Sequence, residues 1–293
     1  MKKNVVLSET RDVPLLLFLW KWKVSTIAAL TKKFFQNSSP KTAYNRLLAL
    51  RHAGLIQMKS DGFGQKFVCS LDRRGFEAIR EFLPESADEG YKSEHAGHDL
   101  LLAAFHLGDW FIEKPKGAAM FSEQQLRRLP LETYPDWIPR TDTHRPDGYS
   151  RVLFRGQPAT FAIEVELSQK RDDDYGKVAD FYGYYSSITR VLWLVPRRSQ
   201  ALTIRTHMLR QNHSGQDPHD FILLDDFKQH GWDAEVIAGP DLGQSMATLL
   251  MGKPQEKAMK TSGSVLVHSL LDTRKSPHTS DSYRSYQLGD FRD

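Results

Sequence analysis

The segment Phe161-Ala162-Ile163-Glu164-Val165-Glu166-Leu167-Ser168 constrains this chain more than any other. Phe161, Ile163, Val165 and Leu167 fall on one face of a period-two pattern and Glu164 and Glu166 on the other, which is a strand. Two residues of strand rise put the glutamates roughly 6–7 Å apart on the same side. The flanking sequence describes a sheet that is mostly covered, where paired acids are costly unless they hold something. Oxygen-only donors suit Mg²⁺ or Mn²⁺. The plain alternative is a solvated polar face of an amphipathic strand.

A third acid belongs with this pair. The strand-like run Tyr149 to Phe154 is turned back by Arg155-Gly156-Gln157-Pro158, so Asp147, between Pro146 and Gly148, is expected near the far end of the Glu164 strand. Taken alone, Asp147 is also an ordinary turn residue. After the strand come Lys170, Arg171 and then Asp172, Asp173 and Asp174, acids that complement a helix N-terminus. That helix is expected to run to about Ser187, with Tyr175, Val178, Tyr182 and Tyr185 packing it onto the sheet. The apolar run Val191 to Val195 reads as a buried parallel strand.

Before this core lies a different pattern. From Val13 to about Phe82 the periodicity reads helix, helix, helix, hairpin, the lengths used by a winged helix-turn-helix. Val24 to Phe35 has apolar residues at helical spacing, Ile27, Leu30 and Phe34. Ser39 before Pro40 is an N-cap followed by proline at the first helical position. The helix that follows carries Lys41, Tyr44, Asn45, Arg46 and Arg51 outward and buries Ala43, Leu47 and Leu50, which makes it the recognition helix. Runs Gln57 to Lys59 and Lys66 to Leu71, joined by a glycine-rich turn, form the wing. Lys41, Asn45 and Arg46 are the candidates for DNA in a groove, and Lys59 and Lys66 for the backbone.

The expected organisation is therefore a winged-helix domain over 1–85, a mixed α/β core over 86–253 and a largely disordered tail over 254–293, the tail being rich in Ser, Thr, Lys and Asp. Forty Lys and Arg against 36 Asp and Glu give a net charge of +4, which permits a polyanionic partner without demanding one. A single cysteine, Cys69, excludes an intrachain disulfide and a cysteine zinc cluster, and it fits a reducing cytoplasm. The apolar run Leu15 to Trp20 is far shorter than the ~20 residues of a membrane span. Neither a signal peptide nor a membrane anchor is expected.

Arg145-Pro146-Asp147 and Phe161-Ala162-Ile163-Glu164-Val165-Glu166, in that order and behind a winged helix, resemble the PD-(D/E)XK nuclease superfamily, with its restriction-endonuclease-like fold. More narrowly they are similar to the replication-relaxation proteins and the MOBC-type relaxases of mobilisable plasmids, over about residues 12 to 200. The resemblance implies a mixed sheet flanked by helices and metal-dependent DNA strand cleavage at an origin of transfer. It also implies Asp147 and Glu164 as ligands of Mg²⁺ or Mn²⁺, and a coupling protein or other transfer proteins as partners. Glu166 stands where the superfamily has lysine. Either Glu166 is a further ligand or acid/base group and Lys170 supplies the positive charge, the favoured reading, or the core has lost activity.

Other residues carry weaker signals. Glu123 resembles the helix glutamate that completes such sites, but Ser122-x-x-Gln125 is also a capping box. His95 and His98 are expected on a helix surface, with His98-Asp99 as possible neighbours of the site. Because many relaxases attack DNA with a tyrosine, Tyr175, close to Lys170, is the tyrosine to test first. Three functions compete: a site- and strand-specific nickase, a non-catalytic DNA-binding regulator of transcription or plasmid replication built on a nuclease-like scaffold, and an endonuclease that cuts both strands.

Overall fold

The computed structural model describes residues 5–60, 67–83, 92–107, 119–141, 143–210 and 217–251. The turn of the expected wing, Lys66, most of the acidic stretch after Leu83 and the expected tail lie outside the described residues. The fold is mixed α and β, with a three-stranded sheet and a six-stranded sheet.

In the N-terminal segment, α1 (Asp12–Trp22) leads into β1 (Val24–Thr26), α2 (Ile27–Phe34) and α3 (Pro40–His52), followed by β2 (Ile56–Ser60), β3 (Phe67–Leu71) and α4 (Arg73–Ile79). Ser39 caps α3 by accepting from the Thr42 amide at 3.1 Å, with Pro40 in the first turn. Ala43, Leu47 and Leu50 are fully buried beneath it. The helix expected over Val24 to Phe35 begins three residues later. Val24, Ser25 and Thr26 pair with Ser70, Cys69 and Val68 of β3, and the Thr26 hydroxyl accepts from the Ala29 amide to start α2. Cross-strand pairing and a cap at Thr26 override the local helical spacing. Tyr44 and Arg46 are half-buried rather than outward: Arg46 pairs with the fully buried Asp12 and donates to the Val6 carbonyl at 2.7 Å.

The second sheet has the order β4-β5-β6-β7-β8-β9. Its strands are β4 (Ala119–Ser122), β5 (Gly148–Phe154), β6 (Gln157–Val165), β7 (Ile188–Val195), β8 (His219–Leu223) and β9 (Val236–Ala238). β6, β7 and β8 are mutually parallel; β5 runs antiparallel between β4 and β6, and β9 closes the far edge antiparallel to β8. The β5–β6 turn is two residues, Arg155 and Gly156, both left-handed at φ 51° and 80°, the hairpin geometry that matches strand twist and favours glycine. One face of the sheet carries Phe161, Ile163 and Val165 against α5 (Ala96–Leu107), α9 (Leu224–His230) and α10 (Met246–Met251); the other carries Ala162 against α7 (Asp172–Tyr184) and α8 (Arg198–Arg210). The expected helix to Ser187 ends at Tyr184. Trp22, Val24, Ala29 and Val68 of the N-terminal segment join the α5 core, so the two halves share apolar packing.

Gly148 opens β5 against the ring of His106 on α5. A Cβ there would stand 1.9 Å from His106 Nε2 and 2.9 Å from the Phe121 carbonyl. His106 is fully buried, and burial, then the charge of Lys21, pushes it down to about 3, so it stays neutral. Gly148→Ala is expected to lose about 1–3 kcal/mol by overpacking. His106→Ala should recover part of that loss in the double variant, a coupling read from urea unfolding of the four proteins of the cycle.

Candidate functional site

The C-terminal end of β6 gathers the carboxylates. Because Gly148 pairs with Ile163, Asp147 stands beside the end of β6, and its Oδ2 accepts from the Val165 amide at 2.6 Å. His98 of α5 clamps the same point: its Nε2 donates to the Val165 carbonyl at 3.1 Å and lies 3.4 Å from Asp147 Oδ2. Burial works against a charged His98, but the carboxylates of Asp147 and Asp99, 3.4 and 3.8 Å from its ring nitrogens, outweigh it and raise the ring to about 10. Burial likewise works against the Asp147 carboxylate, yet His98 and the Val165 amide hold its pKa down. His98 is thus an ion-pair partner of Asp147, not the helix-surface residue expected from the sequence.

Glu164 and Glu166 are both buried. Glu164 Oε1 accepts from His144 Nε2 at 2.8 Å and from the Tyr182 hydroxyl at 2.6 Å. His144 lies edge-on to Phe181 and Tyr182, with centroids 5.0 and 5.9 Å away. Glu166 Oε2 is 2.6 Å from Lys170 Nζ. Burial raises Glu166, Lys170 lowers it, and the charges of Glu164 and Asp147 raise it again. Burial lowers Lys170, and Glu166, Glu164 and Asp147 together bring it above its ordinary value. One ammonium therefore stands in the field of all three acids.

Tyr175 of α7 meets the Lys170 backbone. Its ring is fully buried and stacked on His207, and its hydroxyl accepts from the Lys170 amide at 3.1 Å. Burial first, and Glu166 as a lesser cause, raise its pKa. Tyr182 packs in the core as expected, with Tyr185 partly buried beside it. Glu123, in the first turn of α6 (Glu123–Leu126), takes part in a real capping box made by Ser122 and Gln125. Its amide donates to the Asp147 carbonyl at 2.8 Å, its carboxylate pairs with Arg127, and burial, then Asp147, raises its pKa. Both readings of Glu123 thus touch the same residue. His95 is exposed.

The structure brings Asp147, Glu164, Glu166, Lys170 and Tyr175 to one end of the sheet. Lys41 and Asn45 on α3 and Lys59 on β2 are exposed in the N-terminal segment. Arg46 is spent on Asp12, and Lys66 lies outside the described residues. Sequence reasoning missed His144; its signal was a histidine three residues before Asp147 in Thr143-His144-Arg145-Pro146.

Asp147, Glu164 and Glu166 offer carboxylate oxygens in a shared field, the donor type that hard divalent cations take. Among the described residues no group of three or more His, Cys, Asp or Glu side chains is placed to hold a metal ion as the structure stands. The acids are instead engaged by His98, His144, Tyr182 and Lys170. No helix among the described residues is long and apolar enough to cross a membrane. No family model, curated protein or solved structure matches this chain.

Proposed function

We propose that this chain is a metal-dependent, site- and strand-specific DNA nickase that starts transfer of a plasmid or mobile element at its origin. The observation that carries the reading is Lys170: its ammonium, 2.6 Å from Glu166, stands in the field of Asp147 and Glu164 as well. Three acids and a cation at the end of a central strand are the parts needed to bind a phosphodiester and stabilise charge on it. Glu166 at the usual lysine position is then compensated by Lys170, four residues along, the favoured alternative of the sequence reading.

The sheet supports a restriction-endonuclease-like core: strands in sequential order, with the second and last antiparallel to the rest. The helices α2 and α3 and the β2–β3 hairpin, followed by α4, support a winged helix, with Lys41, Asn45 and Lys59 available to DNA. Asp147, Glu164 and Glu166 would hold Mg²⁺ or Mn²⁺. When bound, such a cation supplies Lewis acidity and a more acidic water. His98 keeps Asp147 ionised and fixed against Val165; His144 and Tyr182 fix the Glu164 carboxylate; Lys170 would supply the positive charge toward a bound phosphate. Coupling or other transfer proteins are the expected partners.

A second reading, a non-catalytic DNA-binding regulator, is favoured by the double engagement of Glu164 Oε1, which gives that acid a structural role. The two readings separate on a supercoiled plasmid carrying a site that the full chain selects from random duplexes. Asp147→Ala and Glu164→Ala are expected to keep salt-dependent binding and to lose nicking. Nicking that persists in both variants overturns the site.

A further inference from the structure

Lys23, between α1 and β1, adopts φ 61° and ψ −43°. Only it and Arg155 are non-glycine residues with positive φ among those described. A left-handed backbone at a residue with a side chain costs free energy that glycine would avoid, so an observed outlier of this kind asks what its side chain delivers. Here the side chain delivers an ammonium into the other half of the molecule. Lys23 Nζ lies 3.9 Å from Asp99 Oδ1, and both side chains are mostly buried, at 16% and 12% exposure. Asp99 Oδ2 accepts from the Ser93 hydroxyl at 2.5 Å, and Asp99 Oδ1 is 3.8 Å from His98 Nδ1. The other ring nitrogen of His98 is the one that meets Val165 O and Asp147 Oδ2. Lys23 also lowers the pKa of Glu123 by its charge, which puts the ammonium within the electrostatic reach of this end of the sheet by a second route.

We propose that Lys23 is a positioning residue of the carboxylate site: its ammonium fixes Asp99, Asp99 orients the His98 ring, and His98 holds Asp147 and the end of β6. The site is then completed from the N-terminal segment, so the part of the chain that carries α3 and the part that carries the acids work as one. The kinetic consequence rests on the nickase reading; the geometric one does not.

The test uses the full chain with Lys23→Gly and Lys23→Arg. Glycine suits the backbone at this φ but removes the charge, so a merely structural lysine predicts a folded variant as active as the original, whatever its melting temperature. The positioning role predicts nicking turnover slowed about 10–100-fold with KM for DNA unchanged, and recovery of turnover in Lys23→Arg. It also predicts that the His98 ring ¹⁵N resonances move in Lys23→Gly and stay in Lys23→Arg. Turnover and resonances that match the original in Lys23→Gly overturn the proposal. If the unaltered chain nicks no DNA, the nickase reading fails and the His98 resonances alone decide the relay. Should Lys23→Gly fail to fold, Asp99→Asn is read by the same two measurements, and unchanged values there overturn the proposal.

Discussion

Arg190→Ala is expected to destabilise the fold by about 3–5 kcal/mol, because it strips the partner from buried carboxylates. Arg190 Nε lies 2.6 Å from Asp241 Oδ2 and 3.5 Å from Asp220 Oδ2, and both aspartates are fully buried at the side chain. Arg155 from the β5–β6 turn and Gln244 complete the shell of Asp241, at 2.7 and 2.8 Å. This cluster ties β7, β8 and the turn after β9 together near the opposite end of the sheet from Glu164. Urea unfolding measures the effect, and a loss under 1 kcal/mol would contradict this account of the cluster. Asp220 gives it a pH signature. Burial, then the like charge of Asp241, raises Asp220 from 3.8 to about 7, against the pull of Arg190 and the Asp241 amide. A carboxyl raised in the folded state contributes stability that is full below its unfolded value and is lost as pH climbs through about 7. Asp220→Asn should therefore flatten the stability curve between about pH 4 and 7 and gain most at pH 8. Its amide oxygen can still accept from the Asp241 amide, now 3.0 Å from Asp220 Oδ1.

Lys170→Ala is the second large effect, and it falls on activity. Lys170 is 40% exposed at the side chain but its partner Glu166 is buried, so urea unfolding of the variant accompanies the rate measurement to show that it is folded. What disappears is the Lys170 ammonium, which stands in the field of all three acids. Charge developing on a phosphate would then meet Asp147, Glu164 and Glu166 with that counter-charge gone, and turnover should fall by about 10²–10³. Glu166, already raised by burial, should rise further without its partner. Lys170→Arg should retain part of the rate. Turnover equal to the original in Lys170→Ala would remove Lys170 from the site and leave Glu166 at the lysine position uncompensated.

The parts legible in the sequence are those set by local chemistry. The alternation around Glu164 gave β6 its register, Arg155-Gly156 gave the hairpin, and that hairpin brought Asp147 to Val165. Ser39-Pro40 marked the start of α3 because a cap and a first-turn proline act within three residues. What escaped is set by partners distant in the chain. β1 is three residues whose only reason to be a strand is β3. Arg46 looks outward on a helical wheel, but Asp12, 34 residues earlier, draws it in. His98 and His144 carry no periodic signal; each becomes part of the site only when topology sets it against Asp147 or Glu164. Lys23 and Asp99 are likewise joined by the packing of α1 and β1 on α5, not by any spacing.

The central claim is that the acids and Lys170 form a strand-cutting centre, and incubation of a supercoiled plasmid bearing a selected binding site with the full chain and Mg²⁺ or Mn²⁺ tests it most directly. The account predicts metal-dependent conversion to open circles with one nick position on one strand, abolished in Asp147→Ala. Linear product would mean an endonuclease that cuts both strands. Sequence-specific binding with the plasmid left supercoiled at every metal concentration would contradict the catalytic reading and leave a DNA-binding regulator.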